Sequence, residues 1–354
     1  MFKQNSVFVV GAGASDEFGM PIGSTLTDQI RGSSRLRFDN YPDRDEGPKS
    51  ITTYIRKHYD FYSEEDLKAA RELIAAFGRI NHGILSAESI DEYIYRYSDD
   101  ALVAEAGKLQ IAHLISVAES NSLLARERDF HLEKGFYTLN NTWIWAFAKS
   151  LVMGVKASEV KWIGSGVTIV CFNYDRCIEH YLEHFLMRTY HGLGQEEARS
   201  IVSNINIIHP YGTLGDLDQF PFGETENLLE NMAKNLITWS ETGDDEEELE
   251  ERRVEIRKAI RSARQIVFLG FAFAPQNMKI LNTEPREVNF NGPAVYSTGY
   301  GIEREVEESY RDKIIACYSK VSSDEPVATR ERVRFQLGAK CKEFFSTNRA
   351  NLVQ

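Results

Sequence analysis

The segment Ser6 to Gly19, SVFVVGAGASDEFG, constrains this chain more than any other. Val7, Phe8, Val9 and Val10 form an unbroken run of β-branched and aromatic residues, as in a strand buried on both faces of a parallel sheet. The run stops at Gly11-Ala12-Gly13-Ala14-Ser15. Glycine lets the backbone turn sharply and approach a ligand with no Cβ in the way, and a helix starting there points unpaired N–H groups at a phosphate. Two readings stay open, a dinucleotide-binding turn and a plain structural turn. Asp16 stands where the third glycine of G-x-G-x-x-G belongs.

Three further apolar runs repeat the pattern. Val167 to Phe172 ends at Asn173-Tyr174-Asp175, Ile205 to Ile208 at His209-Pro210-Tyr211-Gly212-Thr213, and Ile266 to Leu269 at Gly270-Phe271-Ala272-Phe273. A last short strand is expected near Ala294 to Thr298. In an open parallel sheet, the loops at the carboxyl ends of neighbouring strands share one ligand-binding crevice. The pattern would gather an amide, a carboxylate and an imidazole around the glycine turn. Taken singly, each has a simpler use: His209 as a structural hydrogen-bonder, Asn173 and Asp175 as caps of the next helix.

Helices fill the rest. A helix is expected from Ser15 to about Arg31, interrupted at Pro21 and Gly23, with Ser24 as a candidate cap. Gly32 to Ser50 reads as a loop. From Ile51 to about Val155 long helical runs appear without a convincing strand, as an α-helical insertion beside the sheet. Within it, Ser89-Ile90-Asp91-Glu92 reads as a capped helix start, or Asp91 lines a pocket. A helical region from Asn227 to Arg264 is expected to break near Thr242-Gly243-Asp244, its acidic stretch being a solvated helix start. Helices around Glu303 to Val321 and Glu331 to Phe345 close the chain. The expected organisation is a Rossmann-like α/β domain over 1–50 and 156–322, a helical insertion over 51–155, and a C-terminal helical segment over 323–354.

Composition narrows the classes. A formal charge of −12 over 354 residues argues against a surface that binds naked nucleic acid through counterion release. No apolar run reads as long enough to cross a bilayer, and Met1-Phe2-Lys3-Gln4-Asn5 does not begin a signal peptide, so a cytoplasmic location is expected. Cys171, Cys177, Cys317 and Cys341 include no C-x-x-C pair, so they read as reduced core thiols rather than metal ligands.

Together these motifs resemble the sirtuin NAD-binding core. More closely, GAGAS followed by EFG-x-P-x-G, FNYD, an isoleucine-rich strand into H-P-Y-G-T-L-G, and LGFAF-x-P-x-N-M resemble the sirtuin-like NADases of bacterial anti-phage defence. The resemblance covers the sheet segments, about half the chain. Two departures from true sirtuins stand out: the four zinc cysteines are missing, and Asp16-Glu17-Phe18-Gly19-Met20-Pro21 replaces G-I-P-D-F-R. Loss of the zinc module removes much of what shapes an acyl-lysine cleft, which favours water as the acceptor.

The resemblance implies a sirtuin-type parallel sheet that takes NAD+ as substrate, without a metal. By that resemblance Gly11, Ala12, Gly13 and Ser15 hold the pyrophosphate, Asp175 faces the carboxamide, and Asn173 orients ribose or water. His209 acts as base, and an imidazole suits that duty because its ordinary pKa lies close to neutrality. Gly270, Phe271 and Asn277 lie along the dinucleotide. The implied activity is hydrolysis to nicotinamide and ADP-ribose by an oligomer gated by a phage signal or a partner such as a HerA-type ring ATPase or a short Argonaute. The alternatives are a non-catalytic module sensing NAD or ADP-ribose, and a deacylase or ADP-ribosyltransferase using the same pocket.

Overall fold

The computed structural model describes residues 1–125, 139–224, 228–238, 244–283, 292–319 and 327–354. Its centre is a six-stranded, all-parallel sheet in the order β3-β2-β1-β4-β5-β6, the order of dinucleotide-binding α/β folds. The strands are β1 (Ser6–Val10), β2 (Val167–Cys171), β3 (Asn206–Ile208), β4 (Gln265–Leu269), β5 (Ala294–Gly299) and β6 (Val333–Leu337). All residues of β1 and β4 are buried, as their unbroken apolar runs require. β1 pairs with β2 from Ser6↔Val167 to Val10↔Cys171 and with β4 from Ser6↔Gln265 to Val10↔Leu269. Three strand ends therefore come level at the residues that follow Val10.

The helices are α1 (Ala12–Ser15), α2 (Gly23–Ser33), α3 (Lys49–His58), α4 (Glu64–Gly83), α5 (Ile90–Arg96), α6 (Ala101–Asn121), α7 (Trp143–Leu151), α8 (Cys177–Thr189), α9 (Gln195–Ser203), α10 (Leu229–Lys234), α11 (Asp244–Ser262), α12 (Pro275–Leu281), α13 (Glu307–Ala316), α14 (Val327–Glu331) and α15 (Cys341–Leu352). The helix expected from Ser15 is interrupted around Pro21 and Gly23, as anticipated. A 3-10 turn follows α1, Gly19 adopts φ 87°, and α2 starts after Ile22 rather than at a Ser24 cap. Of the break expected near residues 242–244, Thr242 and Gly243 lie outside the described residues.

The C-terminal expectation needs correction, because residues 333–337 form the edge strand β6 and not a helix. Val-Arg-Phe-Gln-Leu alternates apolar and polar side chains, the period of a half-exposed strand, and Gly338 ends it at φ 73°. The segment expected to be a helical appendage thus completes the sheet. α15 follows and packs on α7, with Phe345 against Trp143 and Phe147. α7 lies within the expected insertion, yet its Trp143 indole donates to the Ala14 carbonyl at 2.6 Å.

α6 is long and apolar enough to span a membrane by length and composition alone, which the sequence reading missed. Half of its apolar window is buried within the protein, where α6 packs against α4 and α10; this is a core helix of the insertion.

Candidate functional site

The sheet order reverses between β1 and β4, and in such sheets ligands bind outside the carboxyl ends at that switch. Here the two strand-end loops touch. The Gly11 and Gly13 amides donate to the carbonyls of Leu269 and Gly270 at 2.9 and 3.0 Å. A Cβ on Gly11 would sit 2.6 Å from the Gly270 oxygen, and one on Gly270, at φ +56°, would sit 2.1 Å from the Ala14 nitrogen. The glycines are thus required by backbone meeting backbone. Within the expected phosphate cradle, the Gly11 and Gly13 amides are engaged by these carbonyls, and Ala12 keeps a first-turn N–H that no intrahelical carbonyl can take.

Asn173, just beyond β2, is 6% exposed. Its side-chain N–H groups donate to the Gly11 carbonyl at 3.2 Å and the Ser15 hydroxyl at 2.9 Å, while its Oδ1 is buried without a hydrogen-bond partner. Ser15 is itself buried and accepts from Asn173. Asp175 accepts from the Cys177 amide at 3.1 Å. Burial, opposed by hydrogen bonds from Cys177 and Ser15, holds its carboxyl above the usual range. Through the Cys177 bond it holds the first residue of α8.

His209 follows β3. Its Nδ1 lies 3.0 Å from the Asn173 carbonyl and its Nε2 lies 2.7 Å from Glu179 Oε1. Both neighbours are acceptors, so both ring nitrogens donate. Burial, the largest single influence, would lower the pKa of this imidazole, but Glu179 and Cys171 together outweigh it and raise the pKa well above the ordinary value. Burial alone would likewise raise Glu179, and the charge and hydrogen bond of His209, with smaller help from a backbone amide and Arg176, bring it below its ordinary value. In this geometry the expected base has no free lone pair. It fixes the backbone of Asn173 and, with Glu179, faces a cavity of about 740 Å³ also walled by Glu183 and Arg199. Asn173 and His209 therefore meet, but only Asn173 touches the glycine turn.

The structure also gathers residues that the strand-end pattern did not assign. The Tyr174 hydroxyl donates to Asp91, so the α5 start reaches the crevice while Ser89 caps the helix. The capped helix start is thus borne out, while Asp91 is not among the residues that wall the His209 cavity. The Tyr211 hydroxyl donates to Asn277 at 2.7 Å, bringing α12 to the loop after β3. Phe172 packs on Phe271 and Tyr211, with ring centroids 5.1 and 6.0 Å apart, so Phe271 belongs to an aromatic wall beside the switch point. Glu179 had a faint signal, a carboxylate in the first turn of the helix after FNYD. Its pairing with His209 is a long-range contact that no local pattern encodes. Among the described residues no His, Cys, Asp and Glu group is placed to hold a metal.

Comparison of the chain with protein-family models gives no match, and none of the curated proteins matches it.

Proposed function

We propose that the protein hydrolyses NAD+ to nicotinamide and ADP-ribose. The observation that carries this reading is the unpartnered, buried Oδ1 of Asn173 beside the switch-point turn. A buried acceptor without a donor costs about 1–3 kcal/mol, and a ribose hydroxyl or a water supplies one. The chemistry asks little more. The bond from ribose C1′ to the nicotinamide nitrogen breaks, its electron pair neutralises the ring, and positive charge gathers on the ribose as in other glycosyl transfers. Water then adds to C1′ and releases a proton. Asn173 Oδ1 orients that water, Asp91 supplies a nearby carboxyl, and the aromatic wall of Phe172, Phe271 and Tyr211 keeps bulk solvent out.

The motifs quoted above support an effector role in anti-phage defence, with the helical insertion or an assembly contact as the gate, and with a ring ATPase or short Argonaute as the kind of partner implied. Nicotinamide release by the wild type and by Asn173→Ala, each with and without proteins encoded beside it, tests the reading. A loss of about 10²-fold or more is expected if the amide sets the geometry of attack. One observation favours a second reading, a module that senses NAD or ADP-ribose without turnover: both nitrogens of His209 are engaged. Tight NAD binding with no nicotinamide released under any of those conditions would select it.

A further inference from the structure

A second cavity of about 640 Å³ lies between α3 and α6 on one side and α10, which follows β3, on the other, within the size range of small-molecule sites. Lys49 and Lys57 line it, both exposed, with the Lys57 charge also felt by Glu230. Glu230, the carboxylate in its wall, is engaged by His58 at 3.0 Å and Lys234 at 2.7 Å. The rings of Tyr54 and His58 lie together there, with centroids 4.2 Å apart and planes at 34°. His113, bonded to the Ser50 hydroxyl at 2.9 Å, and the apolar Val117 and Leu229 complete an aromatic and aliphatic floor. The Tyr54 hydroxyl is taken by Glu105 at 3.0 Å, so the ligand is left the exposed lysines at the rim and the ring faces below, which suit one chemical class, a phosphorylated small molecule that carries a planar ring.

The floor of this cavity leads to the candidate site. α10 supplies Leu229, Glu230 and Asn231 to the wall. Directly after α10, Leu236 bridges Gly212 in antiparallel fashion, and the Ile237 amide donates to the Tyr211 carbonyl at 3.0 Å. The contact is tight, since a Cβ on Gly212 would sit 2.1 Å from the Asn235 oxygen. These contacts join α10 to the loop that holds His209 and Tyr211.

We infer that this cavity is an effector site for a nucleoside-phosphate-like anion, which acts on the His209 loop through α10. The binding half stands independently of the proposed reaction, whereas an effect on turnover rests on it. The test uses the full chain with ADP, GDP and inorganic phosphate as probes, read by calorimetry and by hydrogen exchange. ADP or GDP should protect residues 49–58 and 229–234 and change exchange at 209–213. The exposed pair Lys49→Ala/Lys57→Ala should bind about 10- to 100-fold more weakly, the scale of losing charge-assisted hydrogen bonds. Protection confined to residues 11–19 and 173–177, or undiminished binding by the double variant, would overturn the site. Equal affinity for inorganic phosphate would remove the ring from the ligand. Unchanged exchange at 209–213 would overturn the coupling, whether or not the protein turns over NAD. Where NAD is hydrolysed, ADP or GDP should alter nicotinamide release about 5- to 150-fold in the wild type and not in the double variant.

Discussion

His209 bonds the Asn173 carbonyl with one nitrogen and the Glu179 carboxylate with the other, so its first effect is to hold Asn173 in place. The pair also links the fold to pH. The raised His209 contributes stability that is complete below the ordinary imidazole value of 6.5 and is lost as pH rises through its raised value. The lowered Glu179 contributes above the ordinary carboxyl value of 4.5 and loses that contribution as pH falls through its lowered value. Support is therefore fullest between 4.5 and 6.5 and declines on either side. Glu179→Gln should destabilise by about 1.5–3 kcal/mol inside that window and by less at both extremes, as read by urea melts across pH; a flat difference would contradict an ion pair. The same variant separates two roles for His209 in turnover. If the imidazole is freed to act as base, the acid limb of the rate profile should move down toward the ordinary imidazole range. If it only positions Asn173, that limb stays where it is while the rate falls.

At the scale of elements, the junction of β1 and β4 decides what the glycines do. Gly270→Ala places a Cβ 2.1 Å from the Ala14 nitrogen at φ +56° and should cost at least about 2 kcal/mol. Gly19→Ala, at φ +87° with nothing within 4 Å, meets only the conformational penalty of about 1–2 kcal/mol. Thermal melts of the two variants separate packing from backbone preference, and equal losses would deny the close approach. These positions also show what the letters carry. The four runs that end in Gly or polar clusters state a parallel sheet, because continuous apolar stretches fit only strands covered on both faces. β6 escaped because an edge strand alternates, and Arg334 and Gln336 within it read equally well as the polar face of a helix. The meeting of Asn173 with the glycine turn was legible from strand-end logic. The capture of the Gly11 and Gly13 amides by β4 was not, since that depends on how closely two loops far apart in sequence approach.

For the whole molecule, one buried ion pair joins the insertion to the sheet. Arg176 of the FNYDR segment and Glu119 of α6 have side chains 2% and 0% exposed and meet at 2.5 Å. Glu119 also accepts the Arg176 and Gly223 amides at 3.1 and 3.0 Å, while Arg176 reaches the carbonyls of Gly215 and Phe220. Helix α6, the loop after β2 and the chain beyond β3 thus share a single charge pair. Removing one partner of such a pair leaves the other charge buried and costs about 3–5 kcal/mol. With an unfolding entropy of about 2.1 cal/mol/K per residue over 354 residues, Glu119→Gln should lower Tm by about 4–7 °C. Because the pair belongs to both parts, the loss should move a single transition seen alike by far-UV circular dichroism and tryptophan fluorescence. Trp143 reports on the sheet side through its bond to Ala14, and the helical signal is dominated by segments such as α4 and α6. If the fluorescence transition stayed fixed while the helical one moved, the insertion would be a separately folding unit. A ligand held against α3 and α6 would then have to act on His209 through α10 alone.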